Sequence, residues 1–490
     1  MGAGVCRQLL AVERLMMQKH CVVIGAGLSG LAAAYYLKKN CRKPDDVRVT
    51  LIEARDRVGG RVFSFKFREQ DEYVCELGGE WIGDQHERMR GLCKHFGLKL
   101  IRHRFDYSFV RRNTITETIS PDKWIFAPDL KSKFAGLSKA FQSKIAANDV
   151  AWLREFDRRD WWTILRDLGF GEEDLLRRDL MDSTDFGKSI RHVGGYSAGT
   201  EYFNDDRFDS MDWKIEGGNS RLAFALAKTI GEENIHTSEK AIEVIQNAAT
   251  ERPKDSSNVQ VFVESTLGAE FPAGGKANKP RKYDCDACIC TVPARTLRNI
   301  KFNPDLPATQ RDAAEELQYA RIMKTVLLFD NRFWMRDKAT RFSCMTDSVS
   351  DFMFDATLAQ DQGPLRINEQ PGILCSYSVG DKADDQASRG PESLRQALES
   401  ILGQLFPGTT PSAVAIHRYA WQRDDFTEGA YALYRPSQWF DLSARLKQKH
   451  YDVHFAGEHI ADDQGFMEGA VDTGEQAAEV VLKKWGLKVR

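Results

Sequence analysis

Two short apolar runs near the start of the chain predict buried β-strands with a helix between them. The first run, from Cys21 to Ile24, leads into a glycine-rich turn, after which small apolar residues continue to Leu37. The second run, from Val47 to Ile52, ends at Glu53. Short apolar runs that are bounded by glycine are typical of buried strands. The pattern therefore predicts a β-α-β unit at this end of the chain.

The rest of the chain alternates between strand-rich and helix-rich segments. From about 99 to 211, aromatic residues and mixed charges predict amphipathic helices with solvated charged faces. Alternation with a period of two at 241–245 and 259–264 predicts strands. Further elements are predicted in this order: an exposed loop at 268–282, a helix at 308–319, a strand at 324–329, a helix at 392–406, and an apolar segment at 453–458 before a final helix.

The chain of 490 residues is too long for one compact core, so two domains are expected. Because the segments alternate, we predict that two domains are woven from several passes of the chain. The predicted fold class is α/β, with a Rossmann-like domain of mixed sheet and a second, α+β substrate domain. The first domain is assigned to 19–98, 212–302 and 415–490, and the second to 99–211 and 303–414.

Composition and charge exclude several classes of partner. The formal net charge is −2, with 42% hydrophobic and 29% charged residues, as in a soluble globular protein that binds neither nucleic acid nor an anionic membrane. No window approaches the roughly 20 apolar residues of a membrane span. Arg7, Glu13 and Arg14 interrupt the first segment, so no signal peptide is expected. The sequence predicts a cytoplasmic protein and leaves the oligomeric state open, with a homodimer compatible.

The ten cysteines are scattered, which is typical of a reducing compartment. Cys285, Cys288 and Cys290 form one cluster. A zinc site would require a fourth ligand, and no histidine lies nearby in the sequence. Alternation places Cys288 and Cys290 on one face of a strand, where free cysteine packs as a small hydrophobe. We favour this structural interpretation and predict no metal site.

The glycine-rich turn carries the chemistry of dinucleotide binding. Gly25 permits the tight turn from strand to helix, Gly27 lets the backbone approach a pyrophosphate, and Gly30 allows close packing of the helix. The helix N-terminus presents free N–H groups and its positive dipole end to phosphate. Glu53 lies 23 positions after Gly30, where it can accept hydrogen bonds from a ribose. The flanking residues Ala26 and Ser29 belong to the same predicted site.

The segment Arg55-Asp-Arg-Val-Gly-Gly-Arg61 follows, and with the turn it resembles the flavin monoamine oxidase family, which includes polyamine and L-amino acid oxidases. The resemblance covers nearly the whole chain through separated motifs in the family's order. It implies FAD as cofactor and a Rossmann-like domain of the GR2 type. The further motifs are Glu76-Leu-Gly-Gly-Glu-Trp-Ile82, Ile215-Glu-Gly-Gly-Asn-Ser-Arg-Leu222, Thr291-Val-Pro293, Met323-Lys-Thr-Val-Leu-Leu-Phe329, Trp421 to Tyr431, and Phe455-Ala-Gly-Glu-His459 through Ala470.

The resemblance also implies the role of each site residue. Lys324 matches the lysine that holds a water at the flavin, Trp421 a tryptophan that packs on it, and Tyr431 and Phe466 the two aromatic walls around the substrate amine. Glu458 matches the acid beside the ribityl or phosphate region. The other residues implied in FAD binding are Ala54, Arg55, Gly60, Arg61, Gly78, Gly79, Glu80, Trp81, Ala241, Thr291, Pro293, Gly457 and Met467.

Two departures from the family pattern affect the predicted chemistry. Some relatives attach FAD through a cysteine directly before the aromatic-wall tyrosine, but this chain has Ala430 there, so the FAD is expected to be non-covalent. Amino acid oxidases of the family carry an arginine for the substrate carboxylate where this chain has Trp81. A guanidinium binds carboxylate in a bidentate manner, so its loss favours amines. Amino acids are not excluded, because another arginine such as Arg191 could turn inward.

The resulting hypothesis is an FAD-dependent oxidase that breaks the C–N bond of an amine, transfers hydride to flavin, reduces O2 to H2O2, and yields an aldehyde or keto product plus ammonia. The alternative substrate is an L-amino acid, which would give a 2-oxo acid. A flavin dehydrogenase or desaturase acting on C–C bonds would share the opening motifs, but the pattern of Lys324 and Tyr431 argues against it. A catalytically silent protein of the same fold is the third hypothesis.

Overall fold

A computed structural model of the protein describes residues 18–41, 46–68, 73–111, 114–119, 128–203, 211–246, 258–267, 280–335, 342–357, 360 and 367–487. The segment examined for a signal peptide and most of the predicted loop at 268–282 lie outside these residues. Arg281 and Lys282 belong instead to a strand.

The strands occupy positions from residue 19 to residue 455. They are β1 Lys19–Ile24, β2 Val47–Ile52, β3 Ser64–Phe65, β4 Cys75–Glu76, β5 Leu100–Arg102, β6 Asp106–Arg111, β7 Thr114–Ile119, β8 Trp213–Ile215, β9 Ile235–His236, β10 Glu239–Gln246, β11 Val259–Ser265, β12 Arg281–Cys285, β13 Ala287–Cys290, β14 Lys301–Asn303, β15 Gln318–Tyr319, β16 Ile322–Phe329, β17 Phe342–Thr346, β18 Phe352–Asp355, β19 Gly372–Val379, β20 Ala415–Ala420, β21 Ala432–Leu433 and β22 Val453–Phe455.

The α-helices are concentrated between residues 128 and 202 and at the two ends of the described chain. They are α1 Leu28–Asn40, α2 Glu87–His95, α3 Pro128–Ala146, α4 Val150–Asp157, α5 Trp161–Leu168, α6 Glu172–Phe186, α7 Gly195–Tyr202, α8 Ser220–Ile230, α9 Ala308–Glu316, α10 Gly380–Ser388, α11 Pro391–Leu405, α12 Ala444–Leu446 and α13 Met467–Lys484.

The predicted β-α-β unit forms the centre of a five-stranded parallel sheet. The strand order is β22-β13-β1-β2-β9, and every pairing in it is parallel. These strands come from three separate parts of the chain, so the sheet requires the interleaving that the sequence predicts. The order places the glycine-rich turn after the central strand, at the carboxyl edge where ligands of open α/β sheets bind.

Close backbone contact fixes helix α1 against its neighbours. A Cβ added at Gly30 would lie 1.9 Å from the carbonyl oxygen of Gly25, so only glycine fits there. The C-terminal helix α13 packs on the other side of α1, where a Cβ at Gly474 would lie 2.2 Å from the carbonyl oxygen of Ser29. Two glycines therefore set the position of the helix whose N-terminus faces the predicted phosphate site.

A four-stranded sheet of order β12-β11-β10-β14 lies beside the parallel sheet. It is mixed, because β10 runs antiparallel to β11 and parallel to β14. Cys285, Cys288 and Cys290 are buried in the apolar cluster that both sheets share. Their burial agrees with the predicted packing role, and no cluster of metal-ligating side chains occurs within the described ranges.

A seven-stranded sheet carries the predicted lysine strand and corrects one sequence prediction. Its order is β20-β16-β19-β18-β17-β6-β7, which places β16 between two antiparallel partners. The segment from 99 to 211 was expected to be helical, but β5, β6 and β7 are strands. Strand β6 pairs in parallel with β17, more than 200 positions later in the chain. It also forms a hairpin with β7, the next strand along the chain, and the helix-like composition of the wider segment outweighed this short hairpin in the prediction.

The helices α3 to α7 form a layer with an aromatic core. Phe141, Trp161 and Phe203 are fully buried there. Helix α6 ends at Phe186, and Gly187 follows it with a positive φ of 70°. The prediction of amphipathic helices is confirmed for this part of the segment. The residue limits of the two predicted domains stay a prediction.

Gly474→Ala is expected to lower the stability of the protein, because the added methyl would overlap the carbonyl oxygen of Ser29 at 2.2 Å. Overpacking of this kind costs about 1–3 kcal/mol, and the midpoint of urea denaturation should fall accordingly. Gly91→Ala is the control. This residue lies within α2 with open space around its Cα, so alanine there should leave the midpoint unchanged or raise it slightly. Equal midpoints for the two variants would contradict the packing argument.

Candidate active site

The N-terminus of α1 is built to receive an anion. Gly27 precedes the helix without a capping side chain, and no acidic residue lies in the first turn. The Ser29 hydroxyl is buried, at 5% exposure, and has no hydrogen-bond partner within the described chain. A buried hydroxyl and uncapped helix N–H groups are costly without a ligand. A phosphate group would satisfy both.

Glu53 is fixed at the end of β2 by two backbone groups. Its Oε2 accepts a hydrogen bond of 2.8 Å from the N–H of Ala26, and its Oε1 accepts one of 2.8 Å from the N–H of Arg55. Burial raises the pKa of this carboxyl, while the two N–H donors oppose the rise. Each oxygen keeps a further lone pair, and Glu53 borders the cavity.

Two arginines of the second motif tie this end of the site to the C-terminal part of the chain. Arg55 makes a bidentate pair with Asp424, with distances of 2.7 and 2.6 Å. Burial alone would raise the pKa of Asp424, but the hydrogen bonds and charge of Arg55 hold it at about 2. Arg61 donates to Glu458 at 2.6 Å, and Glu458 also accepts from the N–H of Gly465 at 3.0 Å.

These groups border one elongated cavity of about 510 Å³. It extends from the glycine-rich turn, past the loop after β4, to the helices α6 and α7. Two predicted residues do not border it: Ala26 acts through its N–H to Glu53, and Gly30 acts in helix packing. The predicted residues that border it are Gly25, Gly27, Ser29, Glu53, Ala54, Arg55, Gly60, Arg61, Gly78, Gly79, Glu80, Trp81, Ala241, Thr291, Pro293, Lys324, Trp421, Tyr431, Gly457, Glu458, Phe466 and Met467.

Aromatic side chains surround the middle of the cavity. Tyr431 donates its hydroxyl hydrogen to the carbonyl of Thr184 at 2.9 Å, so helix α6 fixes the ring. Trp421 donates from Nε1 to the carbonyl of Leu77 at 2.7 Å. Phe466 lies directly before α13, and its ring centre is 5.3 Å from that of His86. The structure thus brings both predicted aromatic walls to one cavity, with Trp421 beside them.

Lys324 projects from β16 into a cluster of charged residues that the sequence reasoning did not assemble. Its Nζ is 2.5 Å from Oε2 of Glu80 and also donates to the carbonyls of Gly78 and Glu76, at 2.9 and 3.2 Å. Oε1 of Glu80 is 2.5 Å from Nζ of Lys214. Lys214 lies directly before the motif that begins at Ile215, on strand β8, and its charge within a short apolar strand is the sequence signal that was missed.

The suggestion that Arg191 turns inward is wrong. This residue is exposed, and its guanidinium lies over the ring of Trp162 at 3.3 Å from the ring centre. The arginines that do border the cavity, within the described ranges, each pair with a carboxylate. Their partners are Asp424 for Arg55, Glu458 for Arg61, Asp212 for Arg104, Asp174 for Arg177, and Asp182 for Arg178.

The residues present fit a flavin dinucleotide. The uncapped helix and the unpartnered Ser29 hydroxyl supply the phosphate end, and Glu53 supplies acceptors for a ribose. At the other end a Cβ on Gly78 would lie 2.0 Å from the carbonyl of Arg61, so the loop packs flat against its neighbour below the aromatic walls. Gly78 and Gly79 border the cavity without side chains, so a planar ring system can approach the backbone at these two positions.

Comparison with known proteins agrees with this site. The family profile described as flavin containing amine oxidoreductase matches residues 28–482, which is most of the chain. The chain belongs to the flavin-containing amine oxidoreductases. FAD is therefore its cofactor, and amine donors are its substrate class. The predicted α/β fold and oxidoreductase activity are confirmed at this level.

Individual relatives of this amine oxidoreductase include both predicted substrate types. The chain is 25% identical to an L-amino-acid oxidase of Gloydius halys, over 94% of this chain and 89% of the relative. It is 24% identical to the flavin-containing amine oxidase A of Canis lupus familiaris, over 95% and 85% of the two chains. The family rests on the profile match, and relatives at these levels of identity do not choose between the two substrates.

Two solved structures share the fold of the amine oxidoreductase. Putrescine oxidase bound to putrescine has a TM-score of 0.74 at 20% identity, with 95% of this chain and 99% of that chain covered. Cyclohexylamine oxidase from Brevibacterium oxydans has a TM-score of 0.74 at 19% identity, with 96% and 100% covered. In the described part of this chain, no helix has the length and apolar character required to cross a membrane.

Glu53→Gln is expected to weaken FAD binding, because both carboxylate oxygens accept from backbone N–H groups at 2.8 Å. An amide has one acceptor oxygen, so its NH2 group would face a second donor. The loss should be about 10- to 100-fold in affinity, the usual range for a hydrogen bond to a charged group. Glu479→Gln on the outer face of α13 is the control. Flavin fluorescence titration of the flavin-free proteins measures the effect, and equal affinities would contradict the role of Glu53.

Proposed function

We propose that this amine oxidoreductase is an oxidase of small amines rather than of L-amino acids. The observation that carries the proposal is the pairing of every cavity-bordering arginine, within the described ranges, with a carboxylate of the protein. An amino acid would bring a carboxylate that needs a guanidinium or comparable donor when it leaves water. Trp81 borders the cavity where the family's amino acid oxidases have that arginine.

The charge on the outer wall of the cavity supports the same choice. Asp174, Asp182, Asp185 and Glu201 border it from helices α6 and α7, against Arg177 and Arg178. The carboxylate of Asp185 accepts a hydrogen bond of 2.7 Å from the hydroxyl of Tyr202. When all four acidic side chains are ionised they outnumber the two basic ones, so this wall attracts an ammonium ion and repels a carboxylate. Burial raises the pKa of Asp182 to about 6 and that of Asp185 to about 7, so the preference for a purely cationic substrate is strongest above neutral pH.

The side chains of the protein would position the amine and shape its surroundings. Tyr431 and Phe466 would flank the amine, whose N–H hydrogens carry partial positive charge and are attracted by aromatic ring faces. FAD, when bound, supplies the acceptor for the hydride and passes the electron pair to O2, which leaves as H2O2. The bond from carbon to hydrogen breaks, and water then converts the imine to aldehyde and ammonia. Holding the reacting groups in this geometry is the main contribution of the chain.

Lys324 keeps a proposed role beside the cofactor, although its three N–H donors already have acceptors in this structure. An ammonium has three donors, so to hold a water Lys324 would release one of the two carbonyls. The positive charge of Lys324 can act on the cofactor while all three of its N–H donors stay bonded. We therefore propose that the main role of Lys324 is electrostatic.

We also propose that FAD is held without a covalent bond through the residue before Tyr431, since Ala430 has no nucleophilic side chain. Denaturation of the purified yellow protein in acid should release all flavin into the supernatant, measured by its absorbance after centrifugation. Flavin that remains in the protein pellet would contradict the proposal. We likewise propose that the protein is cytoplasmic and forms a homodimer.

The choice of substrate is tested with pairs of compounds that differ by one carboxylate. We expect kcat/KM for 2-phenylethylamine to exceed that for L-phenylalanine by at least about tenfold, and cadaverine to exceed L-lysine similarly, because an unpaired buried carboxylate costs more than 1 kcal/mol. Peroxide formation provides the measurement. As a control, 3-phenylpropionate should not inhibit at concentrations where 2-phenylethylamine saturates. Faster oxidation of both amino acids would overturn the proposal.

A further inference from the structure

The carboxylate of Glu80 lies between two lysines in the interior of the protein. Its two oxygens are each 2.5 Å from a lysine Nζ, Lys214 on one side and Lys324 on the other. Glu80 is 6% exposed, and both lysines are 5% exposed. We call these three residues the Glu80 triad. The charges alternate in the order Lys214, Glu80, Lys324. Lys214 lies against the ring of Trp81, and Lys324 donates to the carbonyl of Gly78.

The Glu80 triad fixes the orientation of Lys324. Besides Glu80, the Nζ of Lys324 contacts the carbonyls of Gly78 and Glu76, which belong to the same loop. The loop itself is held by Asn219, whose side-chain amide donates to the carbonyls of Gly79 and Glu80 at 3.0 and 2.8 Å. The ammonium therefore has a single position relative to the cavity floor. Glu80 also raises the pKa of Lys324 against the opposing effect of burial, so the lysine stays charged.

Lys214 is the member of the triad that pairing alone does not explain. One lysine is enough to neutralise one carboxylate, and Glu80 already has Lys324. A second buried ammonium brings a further desolvation cost. Its Nζ lies 4.3 Å from the centre of the Trp81 ring, which borders the cavity, so its charge is partly satisfied by the face of an indole. The triad thus carries one positive charge in excess while the nearby carboxyl of Glu76 is protonated.

We propose that Glu80 is the positioning residue of Lys324 and that Lys214 supplies an excess positive charge that favours the reduced flavin. The inference rests on the proposed FAD oxidase function. A fixed positive charge in a site of low dielectric stabilises added electron density more than a mobile charge in water does. The ring end of the cofactor would lie over Gly78 and Gly79, which connect directly to Glu80.

Other titratable groups surround the triad and set the conditions of the test. Burial raises the pKa of Glu76 to about 7, with the N–H of Asn219 and the hydroxyl of Ser64 opposing the rise. His103, Cys75, Cys375 and Tyr377 also face the two lysines. Burial and Lys214 lower the pKa of His103, so it stays neutral. Measurements at pH 6 and pH 8 therefore lie on either side of the ionisation of Glu76.

The decisive variant is Lys214→Gln, which removes the charge and retains a hydrogen-bond donor for Glu80. We expect the flavin of this variant to become harder to reduce, with the ratio of reduced to oxidised flavin at a fixed potential lowered about tenfold, or about 30 mV for a two-electron couple. Reduction against a reference dye at pH 6 and pH 8 measures this ratio. Lys214→Arg should restore most of the shift, because arginine returns the charge.

Lys301→Gln is the matched control. Lys301 also pairs with a glutamate, at 2.9 Å from Glu243, but on an exposed strand. The control should leave the flavin potential unchanged. An unchanged potential in Lys214→Gln would overturn the role of Lys214, as would an equal shift in the control. A Lys214→Gln protein that folds but no longer binds FAD would make Lys214 a structural residue and would also overturn it.

Glu80→Gln tests the positioning of Lys324 separately. Without the carboxylate, the pKa of Lys324 falls, because burial is no longer opposed by its partner. The charge of Lys324 should then be lost at a lower pH than in the wild-type protein, so the flavin of this variant should become harder to reduce, relative to wild type, as the pH is raised. A parallel pH dependence in the two proteins would overturn the positioning role. These measurements require bound flavin but no oxidation of an amine. A negative result in the substrate screen would therefore not count against the proposed role of the Glu80 triad.

Discussion

Charge that is buried in the wall of the cavity must be paired, and at the cofactor end of this protein the pairs join parts of the chain that are far apart in sequence. Arg55 and Asp424 are separated by 369 positions, and Arg61 and Glu458 by 397. Breaking such a pair leaves an uncompensated charge at a cost of about 3–5 kcal/mol. The cofactor end and the C-terminal end of the chain therefore depend on each other for stability.

The second constraint is the approach of backbone to backbone around the same cavity. Gly30 and Gly474 bring helix α1 against its neighbours, and Gly78 brings the loop after β4 against the carbonyl of Arg61. At each position an added Cβ would lie within 2.2 Å of an oxygen atom. A small displacement at Gly30 or Gly474 would move the phosphate end of the site, and one at Gly78 would move the ring end. The ion pairs fix which segments meet, and the glycines fix how closely they meet.

The loop after β4 shows how one short segment changes the electrostatics of the site. Trp81 occupies the position of a carboxylate-binding arginine in amino acid oxidases of the family, and its ring covers the ammonium of Lys214 instead. Glu80, one position earlier, holds that ammonium and Lys324 together. The ammonium groups of Lys214 and Lys324 are therefore both bonded to Glu80, a residue of the protein. The carboxyl groups of Asp174, Asp182, Asp185 and Glu201 border the same cavity from helices α6 and α7.

The sequence alone determined the dinucleotide site, because its parts are local. A strand, the turn at Gly25–Gly30, a helix and the acid at Glu53 follow one another within about 30 residues, and spacing along the chain fixes their relative position. The resemblance of ordered motifs extended this to FAD, Lys324, Tyr431 and Phe466. Strands such as β13 and β16 were also predictable, because their buried faces give a local apolar pattern.

Only the tertiary structure decided the features that depend on pairing across the chain. Strand β6 was expected to be helical from the composition of its segment, and its place in the seven-stranded sheet depends on pairing with β17, more than 200 positions away. The exposed position of Arg191 and the contact of Lys214 with Glu80 could not be read from spacing, since charged side chains choose partners by distance in space. Charge in a buried site is decided by three-dimensional neighbours, and the sequence lists those residues without showing which of them meet.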